Sequence, residues 1–399
     1  MAEFNLNPAQ IFTQLIQFNF SGIAVVVFTF SLFVMLPGSV QCQTTWDEMD
    51  IEDTDLSSLS HRVSLLSNIP FKALTADDYR YPEVIRTENF SMNLGSRLQL
   101  RYTYTDPDEG SEAGSFSVRR ARFSVFGDAY RHFNYALQLE LAGSSVQLID
   151  ANIRYRLASM ATVWAGQGKA YFGRQQLVSS GNLNFVDRSE VDARFSAKRQ
   201  AGIALIGQNE AQTFEYNLGI YNGNGINTAN DNGRYMKTAR VVVTPFGAYP
   251  LAESAHDYPE SPKLAIGIAG LHTTDGASSD ETAITRLNIE SAFMIKGFNF
   301  MGEFYLEHAD PVNLKSFRTT GWYAQAGYLL PARKNEIAFR YAVIDSDEGF
   351  TSGLVETGIA FSHYFYRHRA KLQADLSNIN WVNRDSNTLE FRIQFQVSI

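Results

Sequence analysis

The sequence lacks the features of a disulfide-stabilised, metal-binding or catalytic protein. Its 399 residues include one cysteine, Cys42, so no disulfide can form within the chain. A single cysteine also excludes paired Cys/His metal motifs, and the seven histidines show no recognisable Ser/His/acid arrangement. We therefore expect no enzyme activity, no metal and no cofactor.

Basic residues are missing from the first part of the chain. Residues 1–60 contain seven acidic residues and no Lys or Arg, so the net charge of −8 leaves only −1 for residues 61–399. No basic stripe dominates this nearly neutral remainder, which argues against nucleic acid as a partner.

Long hydrophobic runs are also absent after residue 42. Residues 23–36, IAVVVFTFSLFVML, are fourteen apolar or small residues. This run matches a signal-peptide core and is short for a membrane helix, which needs ~17–25 residues. We predict a cleaved signal peptide over 1–42, with a retained anchor as the alternative, although the usual basic n-region is missing. Residues 43–89 are predicted to be a separate leader, either one short helix or a solvated tail.

Alternation of apolar and polar residues dominates the rest of the chain. Residues 90–105, FSMNLGSRLQLRYTYT, place apolar side chains at even positions and polar ones at odd positions, which predicts a long β-strand. Sixteen such segments begin near residues 90, 116, 132, 146, 160, 199, 212, 234, 263, 283, 298, 319, 335, 354, 368 and 388. All eleven prolines lie outside their interiors, as a hydrogen-bonded sheet requires.

Connections between these segments alternate between short and long. This pattern is typical of bacterial outer-membrane barrels, which have an even number of strands; the connection through Pro250 and Pro262 is an exception. We predict an all-β fold: a transmembrane antiparallel β-barrel of about sixteen strands over 90–399, preceded by a periplasmic leader. The alternative is a large soluble β-sandwich, which explains the strand lengths and the signal less well.

Arginines are concentrated on the polar faces of the first four segments. In a barrel these faces line the lumen, so the sequence predicts an anion pathway, since guanidinium groups suit phosphate and carboxylate. The alternative is that each arginine pairs with a lumen acid and only stiffens the wall. The predicted pore-lining residues are Arg97, Arg101, Arg120, Arg122, Arg154 and Arg156.

The longest connection, near residues 166–200, carries a net charge of +3. A loop of this length inside a compact fold is usually functional, so we predict that it folds into the lumen as a constriction; the alternative is a loop lying over the surface. Its charged residues are Lys169, Arg174, Asp187, Arg188, Glu190, Asp192, Arg194, Lys198 and Arg199.

Several stretches in order along the chain resemble the phosphate-selective porin O/P family of bacterial outer membranes. They are RRARFSVFGDAYRHFNYALQLEL (119–141), DANIRYR (150–156), AGQGKAYFGRQQLVSSGNLNFVDRSEVDA (165–193), YNLGIYNGNGIN (216–227), ARVVVTPFG (239–247) and PARKNEIAFRYA (331–342). The resemblance implies a sixteen-stranded, trimeric porin whose lumen favours anions, in some members phosphate or polyphosphate. By position, the family's basic strand pair falls on Arg119, Arg120 and Arg122, and its constriction segment on 166–198.

Together these observations predict an outer-membrane porin. It would form a passive diffusion channel for small hydrophilic solutes, weakly selective for anions, with outer-membrane lipid around it and a homotrimeric assembly. A plugged, non-conducting barrel with a structural or binding role is the alternative. An outer-membrane hydrolase would need a nucleophile beside a histidine at the barrel rim.

Overall fold

A computed structural model describes residues 83–108, 110–276, 280–346, 353–382 and 386–399. The predicted signal peptide and almost all of the predicted leader lie outside these ranges, so both stay predictions. Within the leader, the described residues begin with a short strand, Glu83–Arg86, which pairs with the start of the next strand.

Seventeen strands are assigned among the described residues. They are β1 (Glu83–Arg86), β2 (Ser91–Pro107), β3 (Ala113–Ala129), β4 (Phe133–Glu140), β5 (Gln147–Ala158), β6 (Ala161–Lys169), β7 (Arg199–Gln208), β8 (Phe214–Tyr221), β9 (Met236–Val243), β10 (Lys263–Asp275), β11 (Thr282–Ile295), β12 (Phe298–Pro311), β13 (Phe317–Leu329), β14 (Asn335–Ser346), β15 (Leu354–Tyr366), β16 (Ala370–Trp381) and β17 (Ser386–Ser398).

Strands β2 to β17 form a closed antiparallel barrel. Each pairs with its sequence neighbour, and β17 pairs with β2, with Gln396 opposite Gln99, to complete the circle. The predicted sixteen-stranded barrel is therefore confirmed, and each predicted segment begins within three residues of an observed strand. A closed barrel satisfies every backbone group without exposing a sheet edge, as a strand in lipid requires.

The two faces of β2 show why the alternation specifies this fold. Leu98 and Leu100 point outward and are 43% and 44% exposed, whereas Gln99 and Arg101 point inward and are 0% and 8% exposed. The apolar face therefore has no protein partner within the chain, and lipid covers it. Arg119 sits at a bulge in β3, because Gln99 pairs with Arg120 and Leu100 with Val118.

The barrel interior is filled mainly by two connections. Residues 170–198, between β6 and β7, include two short helices, α1 (Arg174–Leu177) and α2 (Glu190–Phe195). Residues 244–262, between β9 and β10, form the second, and Glu253–His256 are all buried. Within the described residues, no helix is long and apolar enough to cross a membrane.

Candidate functional site: the constricted lumen

The connection of residues 170–198, here called the constriction loop, lies inside the barrel rather than over its rim. Most of its residues are buried, including Phe172, Leu183, Phe185 and Val191, each at 0% exposure. Its aromatic side chains pack on the wall: the Phe195 ring stacks on Tyr305 of β12 with centroids 5.3 Å apart. The predicted infolded loop is confirmed, and the alternative of a surface loop is wrong.

Carboxylates of the barrel wall accept hydrogen bonds from the backbone of the constriction loop. Glu303 of β12 accepts from the N–H groups of Arg174 and Gln175, both at 2.7 Å. Asp375 of β16 accepts from Val186 N–H at 2.9 Å, and Glu356 of β15 accepts from Glu190 N–H at 2.9 Å. These bonds matter because most of this loop lies outside helices and strands, and a buried N–H needs a partner.

Cationic and amide side chains of the wall donate to the carbonyls of the same loop. Lys371 Nζ donates to Leu183 O at 3.1 Å, Arg340 Nη2 to Asp187 O at 2.9 Å, and Lys169 Nζ to Val178 O at 2.8 Å. The wall thus presents acceptors to the loop's N–H groups and donors to its carbonyls. This complementarity explains how an irregular segment stays buried in the lumen.

Glu303 is the most heavily bonded of these wall carboxylates. Besides the two loop N–H groups, it accepts from Tyr305 Oη at 2.9 Å, Tyr323 Oη at 2.8 Å and Asn288 Nδ2 at 3.0 Å. It is 3% exposed, and its two oxygens accept five donors, more than the roughly four sites of an ionised carboxylate. This anchoring role was not predicted from the sequence.

Asp187 lies at the centre of an arginine cluster. Its carboxylate is 2.6 Å from Arg101 Nη1, 3.3 Å from Arg120 Nη2 and 3.6 Å from Arg119 Nε. Burial alone would raise the pKa of Asp187, but the charges of Arg101, Arg120 and Arg119 hold it well below its usual range. An internal carboxylate therefore occupies the position between these arginines that a solute anion would otherwise take.

A second group of carboxylates and arginines links the constriction loop to the strands. Arg194 and Arg286 both pair with Glu307, at 2.5 and 2.6 Å, and Arg340 pairs with Glu356 at 3.0 Å. The acids facing inward from β11 to β17 include Glu290, Glu303, Glu307, Glu336, Glu356, Asp375 and Glu390. The inward-facing side chains of β2 to β5 are instead rich in arginine, so the two halves of the wall differ in charge.

The connection of residues 244–262, here called the inner turn segment, meets the constriction loop from the short-turn side. Glu253 accepts from Asn184 N–H at 2.7 Å, from Gln325 Nε2 at 2.7 Å and from Gln175 Nε2 at 3.1 Å. The sequence identified this connection only as an exception in length. That unusual length on the short-turn side was the available signal that it enters the barrel.

A cavity of about 510 Å³ lies between the constriction loop and the wall, lined mainly by β2 to β6. Its lining includes Trp164 and Tyr171 as well as many polar groups. Six basic residues line it, against three acidic ones. The basic residues are Arg97, Arg122, Arg154, Lys169, Arg199 and Arg369, and the acidic ones are Asp128, Asp150 and Glu215.

The predicted arginines fall into separate environments. Arg97, Arg122 and Arg154 line the cavity, whereas Arg101 and Arg120 are buried against Asp187. Arg156 lies on the inward face of β5, next to outward-facing Tyr155 and Leu157. Arg122 also pairs with Glu140 at 2.8 Å. The conducting role of all six stays a prediction.

The predicted charged residues of the constriction loop also fall into separate environments. Lys169 and Arg199 line the cavity, with Arg199 Nε 2.8 Å from Asp150, and Lys198 is exposed at the end of the loop. Arg174 is buried 3.6 Å from Glu290, and Arg188 donates to Gln175 O at 3.0 Å. Arg174, Arg188 and Arg194 therefore hold the loop in place.

Asp192 is buried on α2 with its carboxylate 3.7 Å from Arg188. Burial raises the pKa of Asp192 to about 7; the charges of Glu303 and Glu253 also raise it, and Arg188 opposes the rise. Glu190, in the first turn of the same helix, also has a raised pKa, because of burial and then the nearby charge of Glu356. The loop thus carries acids that keep their protons to a higher pH than surface carboxylates do.

A family model and several solved structures match this chain. The model described as "Phosphate-selective porin O and P" matches residues 92–369. An anion-selective porin from Comamonas acidovorans is 13% identical with a TM-score of 0.58, over 78% of this chain and 100% of that one. The outer membrane channel DcaP of Acinetobacter baumannii is 11% identical with a TM-score of 0.56, over 78% and 99%.

A trimer form of OmpT, an outer membrane protein of Vibrio cholerae, also matches. It is 9% identical with a TM-score of 0.52, over 77% of this chain and 100% of that chain. At these identities the structures establish the shared barrel fold alone. A search of curated protein sequences gives no significant match.

Proposed function

Because the chain belongs to the phosphate-selective porin O and P family of outer-membrane diffusion channels, we propose that its pore runs through the cavity beside β2 to β6 and favours anions weakly. The observation that carries this proposal is the excess of basic over acidic side chains around that cavity. The name of the Comamonas acidovorans porin, "anion-selective", agrees with it.

The physical basis is the field inside a narrow, low-dielectric passage. Charges of one sign that line such a passage raise the local concentration of the opposite ion. Two of the cations are partly neutralised, since Arg122 pairs with Glu140 and Arg199 with Asp150. These pairs reduce the net field, which is why we propose weak rather than strong selectivity.

Phosphate is a candidate solute but not the proposed specific ligand. Arginine clusters suit bidentate binding of phosphate, and Arg101, Arg119 and Arg120 form such a cluster. Asp187 already occupies it. A phosphate ion would have to displace this carboxylate, so we expect phosphate to permeate without binding tightly.

A planar bilayer under a potassium chloride gradient tests the proposal. The purified full-length protein should give a reversal potential of the sign expected for chloride preference, and added phosphate should reduce the chloride current only at high concentration. A reversal potential showing potassium preference would contradict anion selectivity. Block by low phosphate would instead establish a specific phosphate site.

A plugged, non-conducting barrel is the second candidate function, and the two segments that occupy the lumen favour it. The constriction loop and the inner turn segment both occupy the interior and are joined through Glu253. A folded protein that gives no conductance in the same bilayer would support this alternative. A chloride current would exclude it.

We also propose that the protein assembles as a homotrimer in the outer membrane. The trimer form of the Vibrio cholerae structure supports this, as does the family. Light scattering of the detergent-solubilised protein, corrected for bound detergent, should give three times the chain mass of 44.7 kDa, less any signal peptide removed. A monomeric mass in several mild detergents would refute it.

A further inference from the structure

The inner turn segment enters the barrel at a position where barrels of this kind have short turns. Residues Glu253–His256 of this segment are all buried, and Glu253 N–H donates to Asn182 O at 3.2 Å. Leu251 of the same segment lines the cavity. The segment therefore narrows the lumen next to the proposed solute path, and whatever holds it there also determines how wide that path is.

His256 anchors the end of this buried stretch through its ring alone. The ring packs edge-on against Tyr364 at 4.3 Å between centroids and against His368 at 4.6 Å. His256 is 6% exposed and His368 is 5% exposed. Among the described residues, no group hydrogen-bonds to either ring nitrogen of His256 or to Nε2 of His368. At His256 itself, the contact between the segment and the wall is thus ring packing without a hydrogen bond, whereas Glu253 and Asp257 contact the wall through Gln325 and Arg367.

Cationic side chains outnumber carboxylates around the two rings. Lys371 Nζ of β16 lies 3.3 Å from His368 Nδ1. The nearby carboxylates already have partners: Glu336 of β14 is bonded to Tyr364 Oη and to Asn299, and Asp257 is bonded to Arg367. The charged and titratable groups around the pair are Glu336, Tyr364, Lys371, Arg367, Arg333 and Arg97 from the wall, and Glu253 and Asp257 from the segment itself.

These surroundings keep both rings neutral. Burial, followed by the charges of Lys371, Arg367 and Arg333, lowers the pKa of His256 to about 3. Burial, followed by Lys371 and then His256, lowers the pKa of His368 well below its usual range. A metal ion is a poor alternative, because the described residues contain no group of three or more suitable ligands and the ammonium of Lys371 repels a cation.

From this geometry we propose that the inner turn segment is an acid-released gate: protonation of the His256–His368 pair drives the segment off the wall and widens the channel. The proposal rests on the proposed function as a diffusion channel. Two imidazolium rings in contact repel one another and are also repelled by the ammonium of Lys371. His256 belongs to the inner turn segment and His368 to the turn between β15 and β16, so movement of the segment away from the wall separates the two rings.

The sign and the pH range follow from linkage. Each histidine has a lower pKa in the docked state than in the free state, so docking is strongest above about pH 6.5 and weakens as the pH falls below it. Each histidine shifts the docking equilibrium by up to about tenfold per pH unit. Two histidines acting together shift it by up to about a hundredfold per unit.

Single-channel conductance against pH tests the gate. The wild-type protein should show a rise in conductance between pH 7 and pH 4. His256→Phe, which keeps an aromatic ring on Tyr364 but cannot be protonated, should make that rise less steep, because His368 alone remains to be protonated. His132→Phe is the matched control, because His132 is an exposed histidine on another short turn, and it should behave as wild type. A wild-type channel that conducts but whose conductance is constant or falls, or an equally steep rise in His256→Phe, would overturn the proposal.

Thiol accessibility gives a second readout that does not need conductance. In a Cys42→Ser background, Ala255→Cys places a thiol at a site with 1% exposure beside His256, and Ala248→Cys places one at an exposed site in the same segment. Both thiols are labelled with a disulfide reagent that is active at low pH. The labelling rate of Ala255→Cys divided by that of Ala248→Cys should rise at least tenfold from pH 7 to pH 4.

Conductance and thiol labelling together distinguish failure of the proposed gate from failure of the proposed channel. A constant labelling ratio would refute the gate whatever the conductance shows. A rising ratio in a protein that conducts at no pH would support release of the segment and refute the proposed channel instead.

Discussion

Replacing Asp187 by Asn should increase the preference for anions. The substitution keeps the shape of the side chain and removes one negative charge from among Arg101, Arg119 and Arg120, at 2.6, 3.6 and 3.3 Å. The carboxylate side chain is 22% exposed, so its charge acts on ions in the water of the lumen. Removing it leaves the positive charge of the arginines without its present counter-charge.

The size of the effect follows from Coulomb's law. A unit charge about 10 Å from a permeating ion in water contributes about 0.4 kcal/mol, or about a twofold change in local concentration. The effect has opposite signs for chloride and potassium, so their permeability ratio should rise about fourfold at low salt. Salt screening at about 0.1 M, where the Debye length is about 10 Å, should reduce this toward twofold.

Reversal potentials measured under a salt gradient at two ionic strengths check this prediction. Asp192→Asn is the matched control: Asp192 belongs to the same loop, but its side chain is only 4% exposed, against 22% for Asp187. Measured below pH 7, where Asp192 holds its proton, the control should leave selectivity unchanged. If Asp187→Asn leaves the permeability ratio unchanged or shifts it toward potassium, the arginine cluster does not face the solute path and the reasoning is wrong.

Three further predictions concern the residues that hold the constriction loop and the inner turn segment inside the lumen. Glu303→Gln should loosen the constriction loop by about 1–3 kcal/mol, because an amide would face donors that now share a carboxylate; proteolysis of the loop should accelerate, whereas Glu260→Gln at the exposed rim should have no effect. Asp192 should contribute a negative slope to the pH dependence of stability toward denaturant, of up to about 1.4 kcal/mol per pH unit between about pH 4 and 7, since it keeps its proton in the folded state while the unfolded chain loses it. Asp192→Asn should remove that slope, and an unchanged slope would contradict the burial argument. Glu253→Gln should detach the inner turn segment from Asn184 and increase conductance at neutral pH; equal conductance would show that this contact does not restrict the pore.

The strands were predictable from sequence because their cause is local. Side chains on a strand alternate between faces, so the alternation within FSMNLGSRLQLRYTYT shows which side chains face lipid and which face the lumen. The infolded loop was predictable from its length and charge. In each case the signal lies within a few dozen consecutive residues, and no knowledge of distant partners is needed.

The partners inside the lumen could not be predicted in this way. Arg101 and Asp187 are 86 residues apart, and Glu253 and Asn184 are 69 apart. Their meeting depends on the register of the closed barrel and on the path of two irregular segments. The sequence therefore identified Arg101 and Arg120 as lumen-facing but could not show that Asp187 neutralises them.

The unequal charge of the two wall halves gives a physical reason for where the pore lies. The constriction loop is an irregular chain whose buried N–H groups need acceptors, and the wall acids that accept from them, Glu303, Glu356 and Asp375, all belong to β12 to β16. The loop is therefore drawn to that half of the barrel and covers its negative charge. The half that remains open to solute, β2 to β6, is the one whose inward faces carry arginine. In this arrangement the contacts that stabilise the loop also determine which ions the pore prefers. Weakening the loop's attachment should therefore lower anion selectivity as well as raise conductance.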